Sequence, residues 1–235
     1  VAMELRNADG SVAEMSGNGI RCLAQAVARH RGVDTLDLAV ATPAGVRRVR
    51  VGPAPEDDPA TAWVEVDMGP ARPGPQGWEA ALDVAVALRA TTVDLGNPHL
   101  VLLVDDPAAV DLPTVGTAAQ AGFAQGVNVE LVAPVPGRPD VLDLVVWERG
   151  VGATSACGTG ACAAAHAAHR WGLVGPRVQV AMPGGQVTVT LGAGVQLAGP
   201  ATFVADVVVA RSLVGAGGRT GRLDAPALAE AGVGR

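Results

Sequence analysis

Ser16-Gly17-Asn18-Gly19-Ile20-Arg21-Cys22-Leu23-Ala24 and Cys157-Gly158-Thr159-Gly160-Ala161-Cys162-Ala163-Ala164-Ala165 are two versions of one phrase. Each sets a side chain able to carry a proton directly before a Gly-x-Gly turn that opens a helix-like Ala/Leu run. At such an opening the first backbone N–H groups have no intrahelical partner and attract an anion or a thiolate. Two copies point to two facing half-sites. They are not equivalent, because the first copy has Ser16 where the second has Cys157.

Outward from the first copy, Ala2 to Arg6 reads as a strand, Asn7 to Gly19 as a polar loop, and Ile20 to His30 as a helix stopped at Arg31-Gly32. Strands are predicted at Leu36 to Ala41 and Gly45 to Val51. The Pro-rich, polar stretch Gly52 to Pro59 marks the expected domain boundary. A period-2 strand from Ala62 to Met68 and a turn cluster from Gly69 to Gly77 follow. Leu82 to Val104 is strand-like around punctuation at Asp94 to His99, and residues 106 to 121 suit short helices. Val127 to Val132 and Val141 to Trp147 read as strands. The Glu148 to Gly160 loop then feeds a helix from Ala161 to Trp171, and strands at Val178 to Ala181, Gln186 to Leu191 and Phe203 to Val209 close the body. Strand, polar loop, Gly-x-Gly, helix and strand meander thus occur in that order twice. The expected units are residues 1–58 with a returning strand at about 203–213, residues 59–202, and a mobile tail at 214–235. The first unit is shorter at its front than the second, and Val1 reads like the middle of a protein.

Of the 235 residues, 49% are hydrophobic and 17% charged, which describes a soluble globular protein with ample core. A net charge of −6 with scattered arginines argues against nucleic acid and against an anionic membrane as partner. A small-molecule site is the better expectation. The chain has no lysine, so no internal aldimine with pyridoxal phosphate can form on it, and chemistry at an amino acid α-carbon has to proceed without that cofactor. Three cysteines outside any metal-ligand spacing imply neither a disulfide framework nor a metal site. With no apolar stretch long enough to span a bilayer and no secretion leader, the expected compartment is the cytoplasm.

Cys157, ahead of a helix, is the leading candidate for chemistry, because the helix dipole and free N–H groups are expected to lower its pKa towards neutrality. Cys22 and Cys162 fall inside predicted helices and read as packing residues. Glu148-Arg149 offers a base for the thiol and a guanidinium for a carboxylate. His99, after Asn97-Pro98 and before an apolar strand, is better placed to meet a reacting group than His30, His166 or His169. Asn7, Asn97 and Asn128 lie at strand ends or turns, where Asn is also common for backbone reasons.

Asn7-Ala8-Asp9-Gly10-Ser11, Gly17-Asn18-Gly19-x-Arg21-Cys22, Gly96-Asn97-Pro98-His99, Val127-Asn128, Glu148-Arg149-Gly150 and Ala156-Cys157-Gly158-Thr159-Gly160, in this order and spacing, resemble the diaminopimelate epimerase family. The resemblance runs from about Ala2 to Val209. It implies an α+β fold of two pseudo-symmetric halves, each a curved mixed or antiparallel sheet wrapped around a central helix, with the first half incomplete at its N-terminus. It further implies cofactor-free inversion at the α-carbon of LL- or meso-diaminopimelate by two facing cysteines, one as thiolate base and one as thiol acid, in a homodimer.

Carried over residue by residue, Cys157 matches one thiol and Ser16 stands at the position of the other. Glu148 would serve Cys157 and His99 would serve position 16. Asn7, Asn97, Asn128, Glu148 and Arg149 would bind the substrate's polar groups, and the turns Gly17-Asn18 and Gly158-Thr159 would grip its α-carboxylate. Three features depart from the family: Ser16, Ala153 where Glu precedes Thr154 in the family's loop, and the lack of an N-terminal Gly-rich segment with its own Asn. A hydroxyl is far less acidic than a thiol, so weak or one-sided epimerisation is expected. A related one-base amino acid isomerase or dehydratase, and a non-catalytic amino-acid-binding homologue, are the alternatives.

Overall fold

A computed structural model describes residues 1–6, 12–13, 15–76 and 87–206. Strands β1 (Leu5–Arg6) and β2 (Val12–Ala13) form a small antiparallel pair, followed by helix α1 (Gly17–Arg31). Then come β3 (Leu36–Thr42), β4 (Gly45–Val51), β5 (Thr61–Gly69), β6 (Arg72–Pro73), β7 (Arg89–Asp94) and β8 (Pro98–Leu103). A 3-10 turn at Pro107–Ala109 precedes α2 (Leu112–Ala121), and the rest is β9 (Asn128–Pro134), β10 (Val141–Glu148), β11 (Gly152–Thr154), α3 (Gly158–Arg170), β12 (Arg177–Met182), β13 (Gly185–Leu191) and β14 (Val195–Thr202).

Strands β3 to β14 join in one mixed sheet in the order β3-β4-β5-β14-β13-β12-β10-β9-β8-β7-β6, with β11 folded back on β10. Among the described strand pairs of this sheet, β8–β9 and β10–β12 run parallel and the others antiparallel. The fold is α+β, as expected. On the sheet, α1 lies against β4, β5 and β14, and α3 lies against strands from β7 round to β14. The sheet of the first helix therefore draws strands from beyond the Pro-rich stretch at 52–59.

The two helices are covered differently. Alanine and glycine make up most of α3, and every residue from Gly158 to Ala165 is buried, so strands can approach it from nearly all sides. Among the described residues α1 instead buries one stripe, Gly17, Ile20, Arg21, Ala24, Gln25 and Ala28. That is the i, i+3, i+4, i+7 spacing of an amphipathic helix on a sheet. On the opposite face of β8 and β9, Leu100, Leu102, Val129 and Leu131 form a second core under α2. These two strands are thus buried on both faces, the one opposite α2 carrying His99, Asn128 and Glu130 as well as apolar side chains.

Both helices begin earlier than the sequence suggested, because the Gly-x-Gly turns are themselves the first helical turns. Ser16 caps α1 with φ −140° and ψ 113°, and Cys157 caps α3 with φ −132° and ψ 116°. Gly32, at φ 64°, ends α1 in the left-handed conformation that favours glycine. The final strand is displaced from its expected position. Residues 203–206 are not a strand; the chain instead forms β14 over Val195–Thr202. Gly199-Pro200 hid this strand. Pro200 is tolerated because β13 reaches only as far as Ala198, leaving β5 as the neighbour there. Residues 207–213 of the expected returning strand and the tail at 214–235 lie outside the described residues.

Gly17 and Gly158 meet at the centre of the molecule. A methyl group built on Gly158 would sit 2.9 Å from the Gly17 Cα and 3.0 Å from Leu197 Cδ2. Gly158→Ala is therefore expected to destabilise the fold by about 1–3 kcal/mol. Gly192→Ala, in the β13–β14 turn where an added methyl would meet the Gly194 carbonyl oxygen at 4.0 Å, should stay within about 0.5 kcal/mol of the parent. Urea unfolding midpoints check both.

Candidate active site

The contact between Gly17 and Gly158 brings the N-termini of α1 and α3 together, so the unpaired N–H groups of both converge on one place. At that place the two caps have matching geometry. Ser16 Oγ accepts from the Gly19 N–H at 3.0 Å, and Cys157 Sγ accepts from the Gly160 N–H at 3.4 Å. Asn18 ties the halves together, donating from Nδ2 to the Ala156 carbonyl at 3.2 Å. Arg21 holds this end of α1 from below. Its guanidinium, buried and with its pKa lowered chiefly by that burial, donates to the Gly17 carbonyl, to Asn18 Oδ1 and to the Pro200 carbonyl of β14.

On the α3 side a chain of side chains leads away from Cys157. Cys157 Sγ and Thr159 Oγ1 are 3.4 Å apart, and Asn97 Nδ2 donates to Thr159 Oγ1 at 3.4 Å. Asn97 Oδ1 lies 3.0 Å from His99 Nε2, and His99 Nδ1 lies 2.7 Å from Glu130 Oε1. His99 and Glu130 are both fully buried. Parallel pairing of β8 with β9 sets His99 opposite Asn128 and Val101 opposite Glu130, so both side chains reach the same face, towards α3. Both ring nitrogens of His99 are engaged in this chain, which lies on the Cys157 side.

Asn128 braces three segments: its Nδ2 donates to the Pro98 carbonyl at 2.9 Å and its Oδ1 accepts from the Arg149 N–H at 2.9 Å. Its amide thereby ties the start of β9 to the start of β8 and to the turn after β10. Glu148 Oε1 accepts from the Thr154 hydroxyl at 2.6 Å, across the β10–β11 hairpin. Ala153, beside Thr154, is exposed. Asn7 lies outside the described residues.

The expectation of a near-neutral thiol is reversed. Cys157 is only 6% exposed, and burial, followed by the negative charge of Glu148, pushes its pKa up to about 12 against the weaker pull of Thr159 and Gly160. Desolvation outweighs the helix N-terminus here because the thiolate would lose water on every side. Cys162 is buried and likewise raised by burial, whereas Cys22, expected to pack, is exposed. No group of three or more potential metal-ligating side chains occurs among the described residues, and no helix there is long and apolar enough to cross a membrane.

The family model for diaminopimelate epimerase matches residues 1–73 and 91–204. The chain belongs to the diaminopimelate epimerase family. It is 41% identical over 202 residues to the diaminopimelate epimerase of Synechococcus elongatus, spanning 80% of this chain and 69% of that one. With the diaminopimelate epimerase of Rhodococcus opacus the identity is 41% over 211 residues, covering 86% and 70%. Among solved structures, a hydroxyproline epimerase from Agrobacterium vitis has a TM-score of 0.67 at 17% identity, covering 86% of this chain and 69% of that one. A probable proline racemase from Agrobacterium radiobacter has a TM-score of 0.65 at 15% identity, covering 89% and 72%. These structures share the fold. By its family the chain is an isomerase of the epimerase kind.

Sequence reasoning overlooked Glu130 and Arg21. A single carboxylate inside the otherwise apolar run Val129 to Val132 was the available sign, since an ionisable group in a doubly buried strand needs a partner. Arg21 was quoted only as part of a motif, with no role. Two outcomes follow from the burial of the thiols. In the absence of substrate, iodoacetamide should label Cys22 first near neutral pH, with Cys157 and Cys162 protected, as read by mass spectrometry. Because the folded thiols hold their protons above the ordinary thiol pKa, the unfolded chain ionises first. Stability should therefore fall as pH climbs from the ordinary thiol range towards about 12, measured by thermal melts across alkaline buffers.

Proposed function

We propose that the chain removes and returns the α-proton of diaminopimelate with Cys157 as its one thiol acid/base, Ser16 leaving the opposite face weakly served. The observation that carries this reading is the meeting of two matched helix caps, Ser16 and Cys157, at the Gly17–Gly158 contact. A substrate α-carboxylate set against the two N-termini meets N–H donors and the positive ends of both helix dipoles. Its α-carbon then lies between the caps.

Inversion needs a base on one face and an acid on the other. A thiolate at Cys157 can take the proton, and the thiol so formed can give it back to the same face. Ser16 has a hydroxyl, a far poorer acid or base at neutral pH. Proton exchange therefore outruns inversion. Glu148, half-buried and held by Thr154, is the nearby carboxylate suited to take the thiol's proton, and the product side of each half-reaction uses the same group in reverse. Lysine and cell-wall precursor biosynthesis, a cytoplasmic location and a homodimer belong to this reading as well.

Incubation of each diaminopimelate isomer with the protein in deuterated water tests it. Mass spectrometry should find α-deuterium accumulating faster than the stereoisomer ratio changes, with one isomer exchanging faster. Ser16→Cys should raise inversion on the order of 10²-fold, with much less effect on exchange. An unchanged inversion rate in that variant would sink the one-thiol account.

A further inference from the structure

Glu130 takes part in no step above, yet it is a fully buried carboxyl beside the site. Its side chain is fully buried, its Oε2 has no hydrogen-bond partner, and its Oε1 packs where a side chain on Gly160 would have to go, 2.8 Å from that position. The bonding pattern around it restricts where the protons sit. If Asn97 donates from Nδ2 to Thr159, its Oδ1 must accept, and only a protonated His99 Nε2 can supply that bond. His99 Nδ1 and Glu130 Oε1 then share one proton between them. An ionised Glu130 would leave a charged Oε2 buried without a partner, whereas a neutral carboxyl donating to Nδ1 leaves only a carbonyl oxygen there, at much smaller cost. Burial raises the Glu130 pKa in the same sense.

We propose that Glu130 is a positioning residue: its neutral carboxyl donates to His99 Nδ1 and fixes His99 as the Nε2–H tautomer, so that every bond out to Cys157 points one way. His99 Nε2–H donates to Asn97 Oδ1, Asn97 Nδ2–H donates to Thr159 Oγ1, and the Thr159 hydroxyl keeps its proton for Cys157 Sγ. With the Gly160 N–H, this gives a Cys157 thiolate two donors. The ionisable groups facing this chain are His99 on β8, Glu130 on β9, Glu148 on β10 and Cys162 on α3. The inference rests on the acid/base role proposed for Cys157, but its tests need no substrate.

In the full chain labelled with ¹⁵N-histidine and assigned with His99→Gln, the His99 Nε2 signal should be that of a protonated nitrogen and Nδ1 that of an acceptor. A lone pair on Nε2 would overturn the proposal, since the bonds would then run in the opposite sense. Two variants separate reach from charge. Glu130→Gln keeps the reach and a donor for Nδ1; Glu130→Asp keeps the carboxyl but falls short of the ring. In a Cys22→Ser background, iodoacetamide labelling of Cys157 at one alkaline pH should stay within about threefold of the parent for Glu130→Gln. It should fall about tenfold for Glu130→Asp, the loss expected for one hydrogen bond to a thiolate. Glu130→Asp behaving like the parent, or both variants losing rate equally, overturns it. If Glu130→Asp does not fold, the ¹⁵N spectra of the parent and of Glu130→Gln decide. A failure of deuterium exchange with diaminopimelate would count against the proposed reaction and leave these results untouched.

Discussion

Two glycines in van der Waals contact, Gly17 and Gly158, set the architecture of the centre. Helix N-termini carry partial positive charge and unpaired donors, so bringing two of them together is electrostatically unfavourable unless something negative lies between them. Only residues without a Cβ allow the approach, and Leu197 closes over both from β14. Asn18 and Arg21 hold the junction by hydrogen bonds that cross from one helix cap to the other half and to β14. The molecule is thus built around a place that favours an anion, and the position of Ser16 and Cys157 follows from being the residues just before those glycines.

Much of this was legible in the chain. The repeated phrase pointed to both helices and their order, though from Ile20 and Ala161 rather than from the glycine turns, and the strand patterns placed β3, β4, β5, β12 and β13 nearly to the residue. Where reading failed, a tertiary effect decided the outcome. Strand β14 contains Gly199-Pro200, which break local propensity, and it exists because β5 supplies the neighbour that Pro200 can accept. The charge state of Cys157 could not be read locally either, because the helix N-terminus is visible in sequence while the closeness of Glu130 and Glu148 depends on how β9 and β10 pack under α3.

His99 shows the same limit from another side. Its place after Asn97-Pro98 marked it as special, but its partner lies thirty-one positions on, across a parallel strand pair. Parallel pairing leaves no short-range signal, since the two strands are joined through α2 and its connections. A sequence can advertise that a histidine is unusual without revealing what it faces.

The high pKa of Cys157 and its proposed role as a base are compatible once charge is counted. In the absence of substrate, a thiolate at this position would add a negative charge to a dry site already facing Glu148, so the thiol form prevails. In the proposed reaction the ammonium group of an amino acid substrate would bring a positive charge into this site, and that charge would offset the repulsion that holds the thiol protonated. Ionisation of Cys157 is then linked to occupancy: the base forms where and when there is a proton to remove. The same charges would favour an ionised Ser16 too, but its hydroxyl starts so far from ionisation that it keeps its proton. The asymmetry between the two caps therefore persists in the proposed complex.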